Sequence, residues 1–177
     1  MTNDRKAKRC WRHISYSDVM ASNSDTPVSG FLPPRWFIRV AWKIHKALYR
    51  WSGGRFGLRA PRSGRYGLAY LTTTGRRTGV ERGVMIGYFD DDDGMVTMAM
   101  NGWGAPEPAW WLNLQAQPEA TLAIAGGATI SVVGRRAVGE DRDRLWERWR
   151  QLDNGLDGFA ARRPTETAVV VLNQRVG

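Results

Sequence analysis

One short turn gathers the residues best suited to binding an anion. Residues 72–79 read TTTGRRTG, and Arg82 follows three positions later. Two glycines bracket two arginines and a threonine between strand-like runs, which predicts backbone N–H groups exposed in a concave nest. Arg76, Arg77 and Arg82 add fork-shaped guanidinium donors that match phosphate or carboxylate oxygens. The segment therefore predicts an anion site, with a hydrophilic hairpin tip as the alternative.

A glycine-rich loop that leads into a helix start is the second candidate region. Residues 100–114 read MNGWGAPEPAWWLNL. Asn101 and Gly102 allow the backbone to approach a flat ligand closely. Trp110 and Trp111 cannot face the same way on a helix, so we expect one in the core and the other beside a cleft.

Other kinds of site find little support. The single cysteine, Cys10, excludes an internal disulfide and a Cys-cluster metal site. The two histidines, His13 and His45, are far apart in the chain, so neither a His-based metal site nor a catalytic triad is expected. The acidic run 90–93 lacks the ligand spacing of an EF-hand and is expected to be a solvated hairpin turn. The sequence predicts no metal, and it contains neither a Walker loop nor a GxGxxG run after a strand.

The pattern of apolar residues predicts a mainly β fold with flanking helices. Strand-like runs occupy 68–74, 84–89, 95–100, 120–125, 129–138 and 167–172, and helical runs occupy 108–117 and 140–152. The order is β-β-β-α-β-β-α-β. Because its strands follow one another through hairpins, with few crossover helices, the order indicates a small antiparallel barrel and not a doubly wound sheet.

The charge of the 177-residue chain is unevenly distributed. Its formal net charge is +9; residues 1–80 hold 16 basic and 3 acidic residues, whereas residues 81–177 hold 10 basic and 14 acidic residues. No Asp or Glu occurs between Thr26 and Val80. A protein that coats nucleic acid would be basic throughout, so no nucleic-acid partner is expected.

Three segments are predicted along the chain: a mobile polar tail at 1–30, an amphipathic helix at 31–54 and a barrel domain at 55–177. The helix carries a basic stripe opposite a Trp-rich apolar side, formed by Arg35, Arg39, Lys43, Lys46 and Arg50. This pattern favours an anionic membrane surface as partner for residues 33–52, with packing on the barrel as the alternative. Without a long apolar run or a signal core, the expected location is cytoplasmic, including the inner face of the plasma membrane.

Taken together, these motifs resemble a known family. The run LTTTGRRTG, the segment NGWGAPEPAWWLNLQAQP and the closing TAVVVLNQ are similar to those of the deazaflavin (F420)-dependent nitroreductase family of actinobacteria. The resemblance spans roughly residues 33–174. It implies a split β-barrel of the FMN-binding type and an oxidoreductase that transfers a hydride from reduced coenzyme F420 to an electron-poor acceptor, such as a quinone or a nitro compound.

The resemblance also implies a set of cofactor-binding residues. The phosphate and oligoglutamate tail is assigned to Arg76, Arg77, Thr78 and Arg82, and the floor beneath the ring to Gly83, Val84, Met85, Ile86 and Gly87. The flank of the ring is assigned to Met98, Ala99, Met100 and Asn101, and the opposite side to Ala109, Trp110, Trp111, Leu112 and Asn113. No catalytic acid or base is implied, because the cofactor supplies the redox chemistry.

Two departures from the family pattern concern the acceptor pocket. Leu156 and Phe159 stand where nitroreductase-type members carry tyrosines, and Met100 stands where they carry a serine. The apolar replacements favour a quinone over a bicyclic nitro compound. An FMN-binding split-barrel oxidoreductase and a noncatalytic module that binds a cofactor or lipid remain the alternatives.

Overall fold

A computed structural model describes residues 57–92, 94–102, 104 and 106–175. Its elements are β1 (Gly67–Thr74), β2 (Glu81–Asp91), β3 (Gly94–Met98), α1 (Ala109–Ala116), β4 (Glu119–Ala123), β5 (Thr129–Arg136), α2 (Gly139–Leu152), α3 (Leu156–Ala160) and β6 (Val169–Gln174). The predicted tail at 1–30 and amphipathic helix at 31–54 lie outside the described residues. None of the helices in the described part is long and apolar enough to cross a membrane.

The six strands close into an antiparallel barrel in the order β1-β2-β3-β6-β5-β4. Alternation of buried and half-buried residues along β1 places one of its faces inside the barrel. The prediction of a small antiparallel barrel with flanking helices is confirmed. The β4–β5 hairpin turns at Gly126 and Gly127, which both have positive φ, as the sequence predicted.

Two hydrophobic layers share the strand β6. Inside the barrel, Val170 and Leu172 pack with residues such as Leu71 and Ile86, under the side chains of α1. On the outside, Val169 and Val171 join the layer that lies beneath α2 and α3. Because β6 is buried on both faces, its sequence is a continuous apolar run and does not alternate.

Several element boundaries differ from the sequence predictions, and one helix is additional. β3 ends at Met98 and not at Met100, because the Ala99 N–H donates to the Ala168 carbonyl and the Met100 N–H turns back to the Met98 carbonyl. The residues before Val169 are therefore tied to the end of β3 and do not form the first part of β6. Helix α3 was not predicted, since five residues are too few to show a helical period.

The long strand β2 changes its pairing partner along its length. Residues 81–88 pair with β1, whereas only residues 89–91 pair with β3. On the side of β2 away from β1, residues 81–88 pair with no strand of the described chain. The resulting split in the barrel wall opens the space in which the predicted site residues lie.

Candidate functional site

A groove of about 430 Å³ lies at this split, between β2 and the segment that leads from β3 into α1. Its lining residues are Arg82, Gly83, Val84, Met85, Ile86, Gly87, Thr97, Met98, Met100, Asn101, Gly102, Pro108, Ala109, Trp110 and Asn113. Twelve of them were proposed from the sequence as cofactor-binding residues; Thr97, Gly102 and Pro108 were not. The fold therefore brings two distant sequence motifs to one cavity of the size typical of small-molecule sites.

The β2 wall of the groove offers backbone hydrogen-bonding groups as well as side chains. In an antiparallel strand, a residue aims its N–H and C=O to the same side, and the next residue aims its own to the other side. Since β1 occupies only one side of residues 81–88, alternate peptide groups face the split. Met85, Met98 and Met100 add thioether surface. A flat heterocycle with polar edges matches this combination.

The α1 wall separates the two tryptophans, as expected from their helical spacing. Trp110 borders the groove, whereas Trp111 faces a separate cavity with Leu114 and Gly134. Both are buried, and their ring centroids lie 6.4 Å apart in an edge-on arrangement. Three residues assigned to the ring by resemblance, Ala99, Trp111 and Leu112, do not line the groove.

The turn that connects β1 to β2 has a different structure from the predicted nest. Five of the six backbone N–H groups from 75 to 80 already donate inside the protein, those of Gly75, Arg76, Thr78, Gly79 and Val80. Gly75 is confined because a Cβ there would lie 2.7 Å from the Val80 carbonyl oxygen, and Gly79 has a φ of 66°. The prediction of exposed N–H donors is wrong, because the turn uses them to hold its own shape. Apart from the Arg77 N–H, the donors that this turn can offer to an anion are therefore side chains.

The side chains of this segment remain available for that role. We call residues 75–82 the cationic turn. Arg76, Arg77 and Arg82 are exposed, and no carboxylate of the described chain lies within ion-pair distance of them. Arg82 also lines the groove, whereas Arg76, Arg77 and Thr78 lie outside its lining. Positive charge is thus concentrated beside the groove without an internal partner.

A buried amide joins the cationic turn to α1. The Asn113 Oδ1 accepts from the backbone N–H of Arg76 at 3.2 Å and from its Nη1 at 3.4 Å. The Asn113 Nδ2 donates to the Thr73 hydroxyl at 3.1 Å, and that hydroxyl donates to the Arg82 carbonyl at 3.4 Å. Sequence reasoning missed Thr73; the inward-facing position of this residue in the alternation of β1 was the available signal.

A buried ion pair supports the other wall of the groove. The Arg163 side chain is fully buried, and its Nη2 donates to Glu107 Oε1 at 2.8 Å. Its Nη1 donates to the Ala99 carbonyl at 2.6 Å and to the Thr167 hydroxyl at 2.9 Å. Because Ala99 lies between two groove-lining methionines and Glu107 precedes α1, Arg163 holds both segments of this wall. No local pattern marks Arg163 and Glu107 as partners, because they lie 56 positions apart in the chain.

The proposed acceptor-pocket residues lie elsewhere. Leu156 is fully buried in the outer hydrophobic layer beneath α2. The Phe159 ring lies below the Arg162 guanidinium, 5.4 Å from it. Neither residue lines the groove, so the structure does not bring the acceptor pocket inferred from the resemblance to the cofactor groove. Within the described residues, no group of three or more His, Cys, Asp or Glu side chains is arranged to hold a metal.

Sequence relatives identify the family. The family model described as F420H(2)-dependent quinone reductase matches residues 41–174. An F420H(2)-dependent quinone reductase of Mycobacterium tuberculosis (strain H37Rv) is 30% identical over 136 residues, which cover 75% of this chain and 89% of the relative. The same values hold for the F420H(2)-dependent quinone reductase of strain CDC 1551.

Solved structures with 19% sequence identity share the fold. One is described as a domain-swapped dimer and has a TM-score of 0.57, covering 80% of this chain and 100% of that chain. Another is described as an F420-H2 dependent reductase and has a TM-score of 0.52, covering 59% of this chain and 92% of that chain. The sequence matches extend over most of the chain, and they are more specific than the resemblance to F420-dependent nitroreductases that the motifs indicated. This protein belongs to the F420H(2)-dependent quinone reductase family and is an F420-dependent oxidoreductase.

Proposed function

We propose that the groove binds the deazaflavin ring of coenzyme F420, that the cationic turn binds its anionic tail, and that the acceptor is a quinone. The observation that carries the proposal is the set of three arginines beside the groove that have no ion-pair partner in the described chain. Phosphate and carboxylate groups are the ligands that guanidinium groups recognise best. A cofactor that joins a flat ring to a polyanionic tail would satisfy both parts of this surface.

The residues present fit such a cofactor. Gly83 to Gly87 form one wall, and Met98, Met100 and Asn101 lie opposite. Ala109, Trp110 and Asn113 close the groove from α1. Bound F420H2 supplies the hydride, and the protein contributes position and a largely apolar environment. We assign Arg77 and Arg82 to the tail as direct contacts.

The lining of the groove also supports an apolar, planar acceptor. Met85, Met98 and Met100 present polarisable thioethers, and Trp110 presents an indole. Both groups make favourable contacts with aromatic rings. A quinone combines such a ring with polar oxygens that the backbone edges of β2 can bond. The acceptor is therefore proposed to share the groove with the cofactor ring, and not to bind near Leu156 and Phe159.

The assignment of the groove is tested by a bulky side chain that fills the groove from the α1 side. Ala109 and Ala116 are both exposed alanines of α1, but only Ala109 lines the groove. Ala109→Trp should abolish oxidation of F420H2 by a menaquinone analogue, whereas the matched control Ala116→Trp should retain it. Quinone turnover that survives in Ala109→Trp would contradict the assignment, and bound FMN in place of F420 would favour an FMN-dependent split barrel.

We further propose that residues 33–52, predicted from the sequence to form a basic amphipathic helix, hold the enzyme at an anionic membrane, where a lipid-phase quinone is available. The proposal rests on the cationic stripe and the Trp-rich side of this sequence. Replacing Arg39, Lys43 and Lys46 together by Glu should abolish cosedimentation with phosphatidylglycerol vesicles. Cosedimentation equal to that of the wild type would contradict a membrane role, and phosphatidylcholine vesicles serve as the control.

A further inference from the structure

The amide of Asn113 is buried at the point where the groove meets the cationic turn. The residue is 3% exposed, although it borders the groove. Its oxygen receives two donors from Arg76, so both acceptor positions of the carbonyl are used. The two donors also fix the orientation of the amide, because the opposite assignment would place the NH2 group against them. The Asn113 oxygen is therefore committed to the protein and not to a ligand.

The same amide reaches the opposite wall of the groove through Thr73. Thr73 and Arg82 are directly opposed partners in the β1–β2 ladder. With Asn113 as donor to its oxygen, the Thr73 hydroxyl directs its proton to the Arg82 carbonyl. The chain of bonds thus runs from α1 through β1 to β2. It spans residues 40 positions apart and holds both ends of the cationic turn.

We propose that Thr73 and Asn113 are positioning residues for the anionic tail of the cofactor, acting through Arg76 and Arg82. This inference rests on the function proposed above. The main-chain N–H and guanidinium of Arg76 are both held by one oxygen, and the backbone of Arg82 is held by Thr73. Fixing the Arg76 side chain and the Arg82 backbone before binding reduces the conformational entropy that the tail must remove. The hydrogen bonds of the uncharged residues Thr73 and Asn113 therefore determine the positions of the charged residues Arg76 and Arg82.

A purely structural role for the network makes a different prediction. If the bonds only satisfied buried polar groups, their loss would lower the stability of the barrel and weaken every ligand of the groove alike. If they position the arginines, their loss weakens only ligands that carry the tail. The ratio of affinities for two ligands, F420 and its deazaflavin chromophore without phosphate and glutamates, separates the two roles.

The test uses Thr73→Val, which keeps the side-chain shape and removes the hydroxyl, and Thr73→Ser, which keeps the hydroxyl. Dissociation constants for both ligands are measured by titration of the full-length chain. Thr73→Val should weaken F420 binding by about fivefold to tenfold and leave the tail-free chromophore within about twofold. Thr73→Ser should restore F420 binding to within about twofold of the wild type. If Thr73→Val does not fold, Thr73→Ala, which also removes the hydroxyl, replaces it with the same expectations.

The failure of this inference is distinct from the failure of the proposed function. Wild-type protein that binds no F420 would overturn both. Wild-type protein that binds F420, with Thr73→Val binding it equally well, would overturn only the positioning role. Equal weakening of both ligands in Thr73→Val would overturn it as well, because that is the signature of a structural network.

Discussion

The arginines at the two ends of the described chain have opposite surroundings. Nine arginines follow residue 100, and eight of them lie in ion pairs: Arg135, Arg136, Arg142, Arg144, Arg148, Arg150, Arg163 and Arg175. Six arginines lie between 57 and 92, and none of these forms an ion pair within the described residues. The first group forms ion pairs with the acidic residues of the C-terminal half, whereas the charges of the second group have no carboxylate partner in the part of the chain that the structure describes.

An arginine without an ion pair is not by itself a binding site. Arg59 donates to the Tyr66 carbonyl at 3.2 Å, and its guanidinium lies over the Tyr66 ring, so Arg59 supports local structure. Arg62 and Arg65 lie at another turn, beside a separate cavity. Arg82 differs because it borders the groove, and Arg76 because it is docked on α1. Placement beside the groove, together with the absence of an ion-pair partner in the described chain, is therefore the basis on which we propose Arg76, Arg77 and Arg82 as ligand-binding arginines.

The largest effect should come from the buried pair. We expect Arg163→Met to reduce the free energy of unfolding by about 3 kcal/mol, since it leaves the Ala99 carbonyl without its charged donor and Glu107 with only the Thr165 hydroxyl. The midpoint of guanidinium-induced unfolding measures the loss. Arg175→Met is the matched control, because the Arg175–Glu119 pair is exposed and should contribute no more than about 1 kcal/mol. Equal effects of the two variants would remove the distinction between the buried and the exposed pair.

A smaller effect should follow from loss of the ion pairs that join Asp91 of β2 to Arg144 and Arg148 of α2, which we call the Asp91 clamp. The Asp91 carboxylate is 3% exposed and accepts from Arg144 at 2.7 and 2.9 Å and from Arg148 at 3.2 Å. Its prediction as part of a solvated turn is wrong, because α2 covers it. The hydrogen bonds from Arg144 lower the pKa of Asp91; burial opposes this shift, and the charges of both arginines support it. We expect Asp91→Asn to reduce the free energy of unfolding by about 1–2 kcal/mol at neutral pH.

The pH dependence of stability checks the same clamp. A carboxyl with a lowered pKa in the folded protein stabilises it above the unfolded pKa of about 3.9, and this contribution is lost as the pH falls through the lower folded value. Between about pH 5 and pH 2, the wild type should therefore lose stability more steeply than Asp91→Asn. The exposed neighbour provides the control, since Asp92→Asn should leave the slope unchanged. Parallel curves for the wild type and Asp91→Asn would contradict the assignment.

The smallest effect should come from a change that keeps the charge of the cationic turn. Arg77→Lys retains the positive charge and removes the fork geometry. We expect about a twofold to threefold weaker affinity for F420 by titration, with an unchanged unfolding midpoint. A loss as large as that of Arg77→Ala would mean that the geometry of the donors, and not their charge, dominates binding of the tail.

The sequence predicted the fold well where local patterns carry the information. The alternation in β1, the apolar run of β6 and the Gly126-Gly127 hairpin predict a barrel of antiparallel strands. Both motifs that meet at the groove were also recognised, because each is continuous in the chain. Ala99 and Leu112 were included with their neighbours, but Ala99 is buried in the barrel core and rotation around the helix turns Leu112 away from the groove.

The remaining features depend on contacts between distant residues. Arg163 pairs with Glu107, which lies 56 positions away in the sequence, and Asn113 donates to Thr73, which lies 40 positions away. Neither partner has a local pattern that marks it. The predicted nest failed for a related reason, since its N–H groups are used by carbonyls within the turn and by a side chain of α1. Leu156 and Phe159 were assigned by resemblance alone, and the packing of α2 and α3 places them away from the groove.

The most direct test of the central claim compares unpaired with paired arginines in one titration. Affinity for F420 is measured for the wild type, for the double variant Arg77→Ala/Arg82→Ala and for the control double variant Arg136→Ala/Arg175→Ala, at two salt concentrations. We predict that the first variant binds F420 at least about tenfold more weakly and loses most of the salt dependence, whereas the control matches the wild type. Equal affinities for the two double variants would contradict the assignment of the cationic turn to the anionic tail.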